Sequence, residues 1–578
     1  MSRKYITARQ FHSADLLKEG DYQSIREALE RIARILPDNK VLGELNKKGE
    51  IVYYTSRDIY EEVMNLGDGL IDAGLKDRHI CIVAQNSCRY VIADATISSG
   101  VGVVVPIDVE APVELLVTLF TKCDADAVIC SATCLKKVRG AQEHCPLLKT
   151  LITIDKKIEG CLFYDDLVER GRELKDNSAY RNLELDLDKP AKILFTSGTT
   201  GANKGVILTN ANLAANIMNC LDSIMTTSHS ISMSVLPMHH AIEINTHVMS
   251  RVVGARLTYI NDNMRNMMTN IKIFKPTMIT IVPMIVNVFY KSIWGNAWKL
   301  GKAEKLAKGI RLSNFLRKFG LDKTHEMFSD VFAPFGGRLE SIICGGSMLN
   351  PRVVRGMNDL GIRIENGYGV TECGPLISIN NDTLTEHLSV GKPCVGIEAK
   401  LINADEDGIG ELCIRGKSVM KGYYKDEEAT REAFTIDGYF RTGDSARIDE
   451  EGRIFLMGRK KNTIVLESGK NICPEEIENV IETSLDYVTE TVVYQAQYSS
   501  NGFPEELICA GIYIEDEEKR SNHEAIVADI KAINVRLSDY KKIDFIELRD
   551  SEYEKTSSRK IKRSVLPDVC SDSGLRIL

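Results

Sequence analysis

The sequence has few of the features that mark secreted, metal-binding or membrane-spanning proteins. Its fifteen cysteines are scattered, no CxxC pair occurs, and the closest two are Cys130 and Cys134. This spacing predicts neither a disulfide framework nor a metal site, and unpaired thiols in such number are typical of a reducing compartment. The N-terminal residues lack the apolar run of a signal peptide, and no stretch is apolar for long enough to span a membrane. We therefore expect a cytoplasmic protein, for which peripheral membrane contact stays open.

Clustered positive charge is also scarce. The net formal charge is −8 and the isoelectric point is near 5.8. Because a nucleic-acid surface needs clustered Lys and Arg, we expect no nucleic-acid partner, although short basic stretches occur at 459–461 and 559–563. Hydrophobic residues make up 44% and charged residues 27%, the balance of a globular protein. A chain of 578 residues is too long for one ordinary core, so two or more domains are expected.

Short apolar runs alternate with helical patterns through the first part of the chain. "ICIVAQ", "GVGVVVPI", "AVICSA" and "TLITID" are typical of buried strands, and "SIREALERIARILP" predicts an amphipathic helix with a capping box from Ser24 to Glu27. From about 390 to 459, short strands separated by glycines predict a β-rich subdomain. Residues 460–578 then alternate strand and helix. The fold class is therefore α/β: a large N-terminal domain of mixed sheets flanked by helices (1–459, including the β-rich subdomain) and a small α+β C-terminal domain (460–578).

The polar stretch "FTSGTTGANKGVILT" (195–209) stands between apolar segments. Glycine backbone N–H groups can approach phosphate oxygens closely, hydroxyls add hydrogen bonds, and one lysine offsets charge. The stretch does not match a Walker A loop, because Lys204 precedes Gly205 rather than Ser or Thr, and "VILT" predicts a strand rather than a helix. Two interpretations stay open on this stretch alone: a phosphate loop of another kind, or a flexible turn.

Eight segments in order resemble the adenylate-forming superfamily of acyl-CoA synthetases, luciferases and peptide-synthetase adenylation domains, from about residue 40 to 565. The segments are "TSGTTGANKGV", "LPMHHAIE" (236–243), "ICGGSMLNP" (343–351), "NGYGVTECGP" (366–375), "GELCIRG" (410–416), "GYFRTGD" (438–444), "GRKKNTIVLESGKNICPEEIE" (458–478) and "KTSSRKIKR" (555–563). The resemblance implies that a carboxylate attacks the α-phosphate of ATP to form an acyl-adenylate and pyrophosphate, and that a thiol then displaces AMP. Catalysis of this kind requires positioning and neutralisation of charge.

The resemblance implies a role for individual residues in binding ATP. Glu372 would be the Mg²⁺ ligand, Thr371 would contact the α-phosphate, and Tyr368, beside Gly369, would stack on adenine. Without its neighbours, Tyr368 would be interpreted as a core aromatic. The remaining residues form the phosphate loop and the turn beside adenine: Thr196, Ser197, Gly198, Thr199, Thr200, Gly201 and Lys204, then Gly345, Gly346 and Ser347.

Further residues would bind the ribose and complete catalysis. Asp444 would hold both ribose hydroxyls, although a turn acid fits its local sequence equally, and Arg459 would reach the ribose or phosphate. Lys560 matches the catalytic lysine that bridges carboxylate and α-phosphate oxygens. The family usually has glycine before this lysine, where this chain has Arg559, and a surface charge run is the alternative interpretation. Lys461 matches the hinge about which the small domain moves, and Gly469 the loop that lines a thiol tunnel.

The acyl pocket is expected at His239 and His240, of which His240 is the preferred match, together with Gly367. No aspartate lies between Leu236 and Asn245, which argues against an amino-acid substrate. The motifs are most similar to those of long-chain fatty acyl-CoA synthetases, and this resemblance implies a medium- or long-chain fatty acid substrate and CoA as acceptor. Other lipid-like or aromatic acids, transfer to an acyl carrier protein, and a catalytically weakened nucleotide- or lipid-binding homologue stay open.

Overall fold

The computed structural model describes residues 5–11, 23–197, 203–227, 229–346, 349–381, 388–466, 471–500, 503–555, 561–563, 566–571 and 574–577. The chain forms two compact units. Unit 1 comprises Met1–Ser347, Arg355–Ala399 and Ile414–Phe440, and unit 2 comprises Met348–Val354, Lys400–Cys413 and Arg441–Leu578. Within the part of the chain that the structure describes, no helix combines the length and the apolar character needed to cross a membrane.

The first large sheet of unit 1 has eight strands among the described residues. Six parallel strands form its body, and two antiparallel strands extend one side. The four apolar runs predicted as buried strands all lie in the parallel body, where helices cover them on the core side. In spatial order the strands are Gly422–Tyr423, Asn203–Thr209, Pro190–Ser197, Gly102–Pro106, Arg78–Val83, Ala127–Cys130, Thr150–Thr153 and Leu162–Phe163.

The second large sheet of unit 1 has nine strands among the described residues. Its central strands are parallel and buried, and antiparallel strands close both sides. In spatial order the strands are Lys392–Pro393, Leu376–Asn380, Arg363–Gly369, Ser341–Cys344, Met278–Ile281, Ser232–Ser234, Thr258–Ile260, Lys40–Leu45 and Ile51–Thr55. A short pair, Ile6–Thr7 with Met225–Thr226, lies apart from it.

Helices connect the strands of unit 1. The helix predicted from "SIREALERIARILP" is Ile25–Ile35, and the Ser24 hydroxyl accepts from the backbone N–H of Glu27. The Glu27 carboxylate accepts from the N–H of Gln23, one residue earlier than a capping box requires, so that part of the prediction is wrong. The longer helices are Ser56–Asp72, Cys88–Thr96, Val113–Lys122, Leu135–Gln142, Tyr164–Glu173, Asn210–Ser223, the π-helix Ile242–Met249, Met267–Phe274, Pro283–Lys299, Ala303–Arg317 and Glu427–Ala433. Pro351–Asp359 spans residues of both units.

Two four-stranded sheets among the described residues lie largely in unit 2. The first consists of Ile397–Ile402, Gly410–Gly416, Phe440–Ile448 and Ile454–Arg459, of which the last three are the short strands predicted from their glycine spacing. The second consists of Glu490–Ser500, Phe503–Tyr513, Phe545–Arg549 and Leu575–Arg576, with helices Pro474–Ser484 and His523–Asn534 packed on its core. Pro474 occupies the first turn of its helix, where its missing N–H is not needed.

The predicted α/β fold class, with mixed sheets, a β-rich segment and an α+β C-terminal part, is confirmed. The two compact units divide the chain elsewhere than at the predicted boundary between residues 459 and 460. The two units are defined by compactness, whereas the predicted boundary separates a large domain from a small domain that moves relative to it. The mobile domain 460–578 therefore stays a prediction.

Candidate active site

The Gly/Thr-rich stretch lies between two antiparallel strands. Pro190–Ser197 and Asn203–Thr209 form what we call the phosphate hairpin, in which Thr196 pairs with Lys204. The strand predicted after the loop is therefore present, and the Walker geometry, which needs a helix there, does not occur. Thr196 and Lys204 are half-buried. Four of the predicted phosphate-loop residues, Gly198, Thr199, Thr200 and Gly201, lie outside the described residues.

A second hairpin carries the residues predicted to contact adenine, the α-phosphate and Mg²⁺. Strands Arg363–Gly369 and Leu376–Asn380 pair antiparallel, and a 3-10 turn, Thr371–Cys373, lies between them. We call this the Glu372 hairpin. Tyr368 is buried, Gly369 is exposed, and the side chains of Thr371 and Glu372 are half-buried. A Cβ at Gly369 would lie 1.9 Å from the carbonyl oxygen of Pro375, so the turn closes only because this position is glycine.

Tyr423 joins the two hairpins. Its hydroxyl donates to Glu372 Oε1 at 3.0 Å, and Lys204 Nζ lies 4.8 Å from the centroid of its ring. Strand Gly422–Tyr423 pairs with the phosphate hairpin, with Tyr423 opposite Val206. Burial and the nearby Glu372 raise the pKa of the Tyr423 hydroxyl, which therefore stays a hydrogen-bond donor. Tyr423 is not among the predicted site residues, although its place in "KGYYKD", between a glycine turn and a charged segment, is a signal that could have found it.

The glycine turn and the histidine turn lie against each other. Gly345 follows the central strand Ser341–Cys344, and a Cβ there would lie 3.2 Å from the carbonyl oxygen of Gly367 and 3.1 Å from Ile242 Cδ1. Ile242 begins the π-helix that follows His240. The structure thus brings together predicted residues of the adenine turn and of the acyl pocket. Gly346, at φ +95°, has a backbone conformation that favours glycine.

The two histidines are largely buried and pack on each other. Their ring centroids are 4.1 Å apart, and His239 Nδ1 lies 4.0 Å from Asp108 Oδ1. Burial lowers the pKa of His239 to about 3, with a further contribution from His240, and Asp108 only partly opposes this shift. Burial also lowers the pKa of His240. Both imidazoles are therefore neutral near pH 7, which suits the lining of an apolar pocket better than the capture of a carboxylate by charge.

A buried ion pair lies beneath the site. Lys192 Nζ, on the first strand of the phosphate hairpin, donates to Asp94 Oδ1 at 2.7 Å and to Asn245 Oδ1 at 2.8 Å. Lys192 and Asp94 are 0% and 1% exposed. Burial raises the pKa of Asp94, and Lys192 opposes the shift. The Asn245 amide donates in turn to the carbonyl oxygen of Gly374 at 3.3 Å, directly after the turn that carries Glu372. The network thus connects the interiors of the two hairpins.

In unit 2, strand pairing brings the predicted ribose ligands together. Asp444 on Phe440–Ile448 is opposite Arg459 on Ile454–Arg459, and Arg459 Nε lies 2.9 Å from Asp444 Oδ1. Asp444 is buried and Arg459 is half-buried. Lys461 follows in a 3-10 turn, and partial burial, together with Arg459 and Arg563, lowers its pKa. The pairing of these residues is a structural fact, whereas their roles with ribose and at the hinge stay predictions.

Several predicted residues lie outside the described part of the chain: Gly198, Thr199, Thr200, Gly201, Ser347, Gly469 and Lys560, and with them Arg559. The segments that flank Lys560 are described. Lys555 and Ile561 form an antiparallel bridge, and the Arg563 guanidinium donates to both carboxylate oxygens of Glu478. These contacts fix the chain on both sides of residues 556–560.

The residues at the Glu372 turn fit a Mg²⁺ ion that is held largely by a substrate. No cluster of three or more His, Cys, Asp or Glu side chains suited to a metal occurs among the described residues. Mg²⁺ is commonly bound through one or two carboxylates together with phosphate oxygens and water. Glu372, half-buried and fixed by Tyr423, supplies one such carboxylate.

Solved structures define the class of the fold. The chain aligns over 95% of its length with 97% of an anthranilate CoA ligase in complex with anthranoyl-AMP, at a TM-score of 0.73 and 17% identity. It aligns over 97% of its length with 98% of ATP-bound MatB from Rhodopseudomonas palustris, at a TM-score of 0.70 and 18% identity. The fold is that of the adenylate-forming enzymes, and the predicted resemblance is confirmed.

The family follows from the sequence comparison. Residues 29–424 match the family model described as "AMP-binding enzyme", and the chain belongs to that family. It is 27% identical over 502 residues to human long-chain-fatty-acid–CoA ligase 1, covering 80% of this chain and 70% of that protein. It is 28% identical over 474 residues to the peroxisomal long chain acyl-CoA synthetase 6 of Arabidopsis thaliana, covering 75% of this chain and 66% of that protein. The chain thus spans about two thirds of the length of these relatives.

Proposed function

We propose that this chain is an AMP-forming acid–thiol ligase that activates a medium- or long-chain fatty acid and transfers it to CoA. The observation that carries the proposal is the junction at Tyr423, where one side chain contacts both hairpins: the Lys204 ammonium lies over its ring, and the Glu372 carboxylate accepts from its hydroxyl. Membership of the AMP-binding family and the names of the relatives, which are long-chain fatty acid ligases, support the same reaction.

In the first half-reaction, a carboxylate oxygen of the fatty acid attacks the α-phosphorus of ATP, and pyrophosphate leaves with the bonding electron pair. Lys204 and the backbone of the phosphate hairpin would bind the outer phosphates. Thr371 would donate to an α-phosphate oxygen, and Glu372 would hold the Mg²⁺ ion, which supplies charge neutralisation between phosphates when bound. Tyr423 would keep the Glu372 carboxylate in one orientation, so that less ordering is required when ATP binds.

In the second half-reaction, the sulfur of CoA attacks the carbonyl carbon of the acyl-adenylate, AMP leaves, and the thiol proton is released. The neutral histidines suit an acyl pocket at His239, His240 and Gly367. Asp444 and Arg459 would bind the ribose, Lys560 would bridge the carboxylate and α-phosphate oxygens, and Gly469 would line the thiol path once the domain hinged at Lys461 has moved. An acyl carrier protein as acceptor stays the alternative.

Mass spectrometry of the purified chain with ATP, Mg²⁺, CoA and a mixed pool of carboxylic acids tests the proposal. Acyl-CoA products are expected, and their masses rank the acids by chain length. Acyl-AMP without acyl-CoA would point to a carrier protein, and binding of ATP without either product would point to the catalytically weakened homologue. Lys560→Ala is expected to abolish adenylate formation and to spare thioester formation from preformed adenylate. Bulky substitutions at Gly469 should have the opposite effect.

Cytoplasmic localisation is also part of the proposal. The name of the Arabidopsis relative assigns that protein to the peroxisome, which is therefore the alternative compartment to test. Subcellular fractionation of the full chain, with markers for both compartments, would separate the two.

A further inference from the structure

Two consecutive helices of unit 1 leave large apolar side chains in solvent. They are Pro283–Lys299 and Ala303–Arg317, joined by three residues. The exposed side chains form what we call the Trp298 surface: Val288, Trp298, Leu300, Leu312, Phe315 and Phe319, whose exposed fractions are 58, 73, 68, 52, 57 and 68%. Scattered single apolar residues on a surface are ordinary, but a run of this kind within some thirty residues is not.

The exposed residues follow the helical period. On the first helix, Val288 and Trp298 share the outward face, while Phe289, Ile293 and Ala297 are buried on the other. On the second helix, Leu306, Ile310 and Leu316 are half-buried, whereas Leu312 and Phe315 are on the solvent side. The rings of Phe315 and Phe319 contact each other edge to face, with centroids 5.1 Å apart. A surface helix normally directs its large apolar side chains to the core, so a second group of exposed apolar side chains on these helices is directed to something outside the domain.

The same segment is strongly basic. Residues 283–323 contain nine Lys or Arg and two Asp or Glu, in a chain whose net formal charge is −8. Among the described residues, Lys291, Lys299, Lys305, Arg311 and Lys318 have no carboxylate partner. Lys305 lies on the outward side of the second helix, within one or two turns of Leu312. The apolar side chains are thus accompanied by cations that have no carboxylate partner in the described part of the chain.

We propose that the Trp298 surface docks on a bilayer that contains anionic lipids, with the aromatic and leucine side chains in the interface and the lysines on the headgroups. Apolar residues beside unpaired cations on a helix are the combination that binds such membranes. A second copy of this chain fits less well, because a two-fold contact would place two basic surfaces against each other. This docking is independent of the ligase reaction. If the proposed function holds, it would bring the acyl site to the phase in which fatty acids dissolve.

The two tryptophans of the chain, Trp294 and Trp298, both lie on the first of these helices, so the intrinsic fluorescence reports on this surface directly. The full chain should sediment with vesicles of phosphatidylcholine and phosphatidylserine about ten-fold more than with phosphatidylcholine alone, and less at high salt. Its tryptophan emission should shift to the blue on binding, and Trp298→Phe should remove the shift.

Matched variants identify the residues responsible. Phe315→Ser/Phe319→Ser and Lys305→Gln/Arg311→Gln should each weaken vesicle binding about ten-fold or more. The controls Ile436→Ser and Lys47→Gln/Lys48→Gln change equally exposed residues elsewhere and should bind as the parent does. Urea midpoints should agree among all variants, because every substituted side chain is exposed.

Absence of vesicle binding by the parent chain, or equal binding by parent and Phe315→Ser/Phe319→Ser, would overturn the proposal. So would a concentration-dependent dimer that this variant dissociates in the absence of lipid, since it would assign the surface to a second copy. Acyl-CoA synthesis from a water-soluble short-chain acid serves as the independent control. Loss of vesicle binding with this activity retained separates a failure of docking from a failure of the proposed function.

Discussion

Lys192→Met should be among the most destabilising single changes in unit 1. The substitution keeps the length of the side chain and removes its ammonium, so Asp94, 1% exposed, loses the charge that compensates its own. Breaking a buried ion pair by removing one partner costs about 3–5 kcal/mol. Since a domain is stable by only about 5–15 kcal/mol in total, the variant should retain between none and about four fifths of the parent's free energy of unfolding.

The double variant Lys192→Met/Asp94→Leu makes the prediction specific. Replacing both charges by apolar side chains of similar size is often neutral, so the remaining cost is that of Asn245 Oδ1, which loses its donor at 2.8 Å, about 1–3 kcal/mol. The two single changes should therefore sum to about 6–10 kcal/mol, and the double change should cost less than half of that.

Urea unfolding followed by tryptophan emission measures these free energies, because Trp294 and Trp298 both lie in unit 1. The matched control is Arg415→Met, which breaks an exposed ion pair of 2.6 Å with Glu398 and should leave the urea midpoint close to that of the parent, because exposed pairs contribute little to stability. A cost below about 1 kcal/mol for Lys192→Met, or a double variant no more stable than either single one, would refute the assignment of a coupled buried pair.

Three further predictions concern the site. Tyr423→Phe should lower the rate of ATP–pyrophosphate exchange about ten-fold, because it removes a hydrogen bond of 3.0 Å to the charged Glu372. The control Tyr439→Phe removes a comparable exposed hydrogen bond to Glu398 and should not change the rate. Equal rates for the two variants would contradict the role of Tyr423. Glu372→Gln should lower the same exchange rate by about 10²–10³, and a change under ten-fold would count against it as a metal ligand. An unfolded histidine has a pKa of about 6.5, but burial lowers the pKa of His239 in the folded state to about 3, so the free energy of unfolding should fall by about 2 kcal/mol between pH 6.5 and 5. Urea titrations at both pH values measure this loss, and His239→Gln should reduce it. An unchanged pH dependence in the variant would contradict the assignment of the loss to His239.

The sequence predicts the parts of the fold that depend on local pattern. The strands 78–83, 102–106, 127–130 and 150–153 belong to a parallel sheet, whose strands are buried on both faces. Such strands have nearly continuous apolar sequences, which are easily recognised. The phosphate hairpin is predictable for a similar reason, since apolar strands flank a stretch rich in glycine and threonine. The order of the strands in each sheet is not predictable in this way, because it depends on contacts between segments hundreds of residues apart.

In the candidate site too, residues in local motifs are predictable, and residues that depend on distant partners are not. Glu372, Tyr368 and Asp444 are found from their motifs, although their roles stay predictions. Tyr423 and Lys192 are missed, because each has its partners in distant segments and neither lies in one of the eight segments that resemble the family. Lys192 nevertheless leaves a signal: it is a lone charge within the strand "PAKILFTS", and a lysine in a buried strand needs a buried partner.

Strand Gly422–Tyr423 completes one side of the phosphate hairpin, with Gly422 opposite Ile207. More than two hundred residues separate these two positions along the chain. At about 5–20 residues per second, a ribosome would take roughly 10–40 s to synthesise the interval. Throughout that time the strand Asn203–Thr209 is an open edge, with backbone groups available to any other strand. The segment that we propose to bind ATP is thus completed late, and a chain interrupted before residue 422 would carry its phosphate hairpin with one side unpaired.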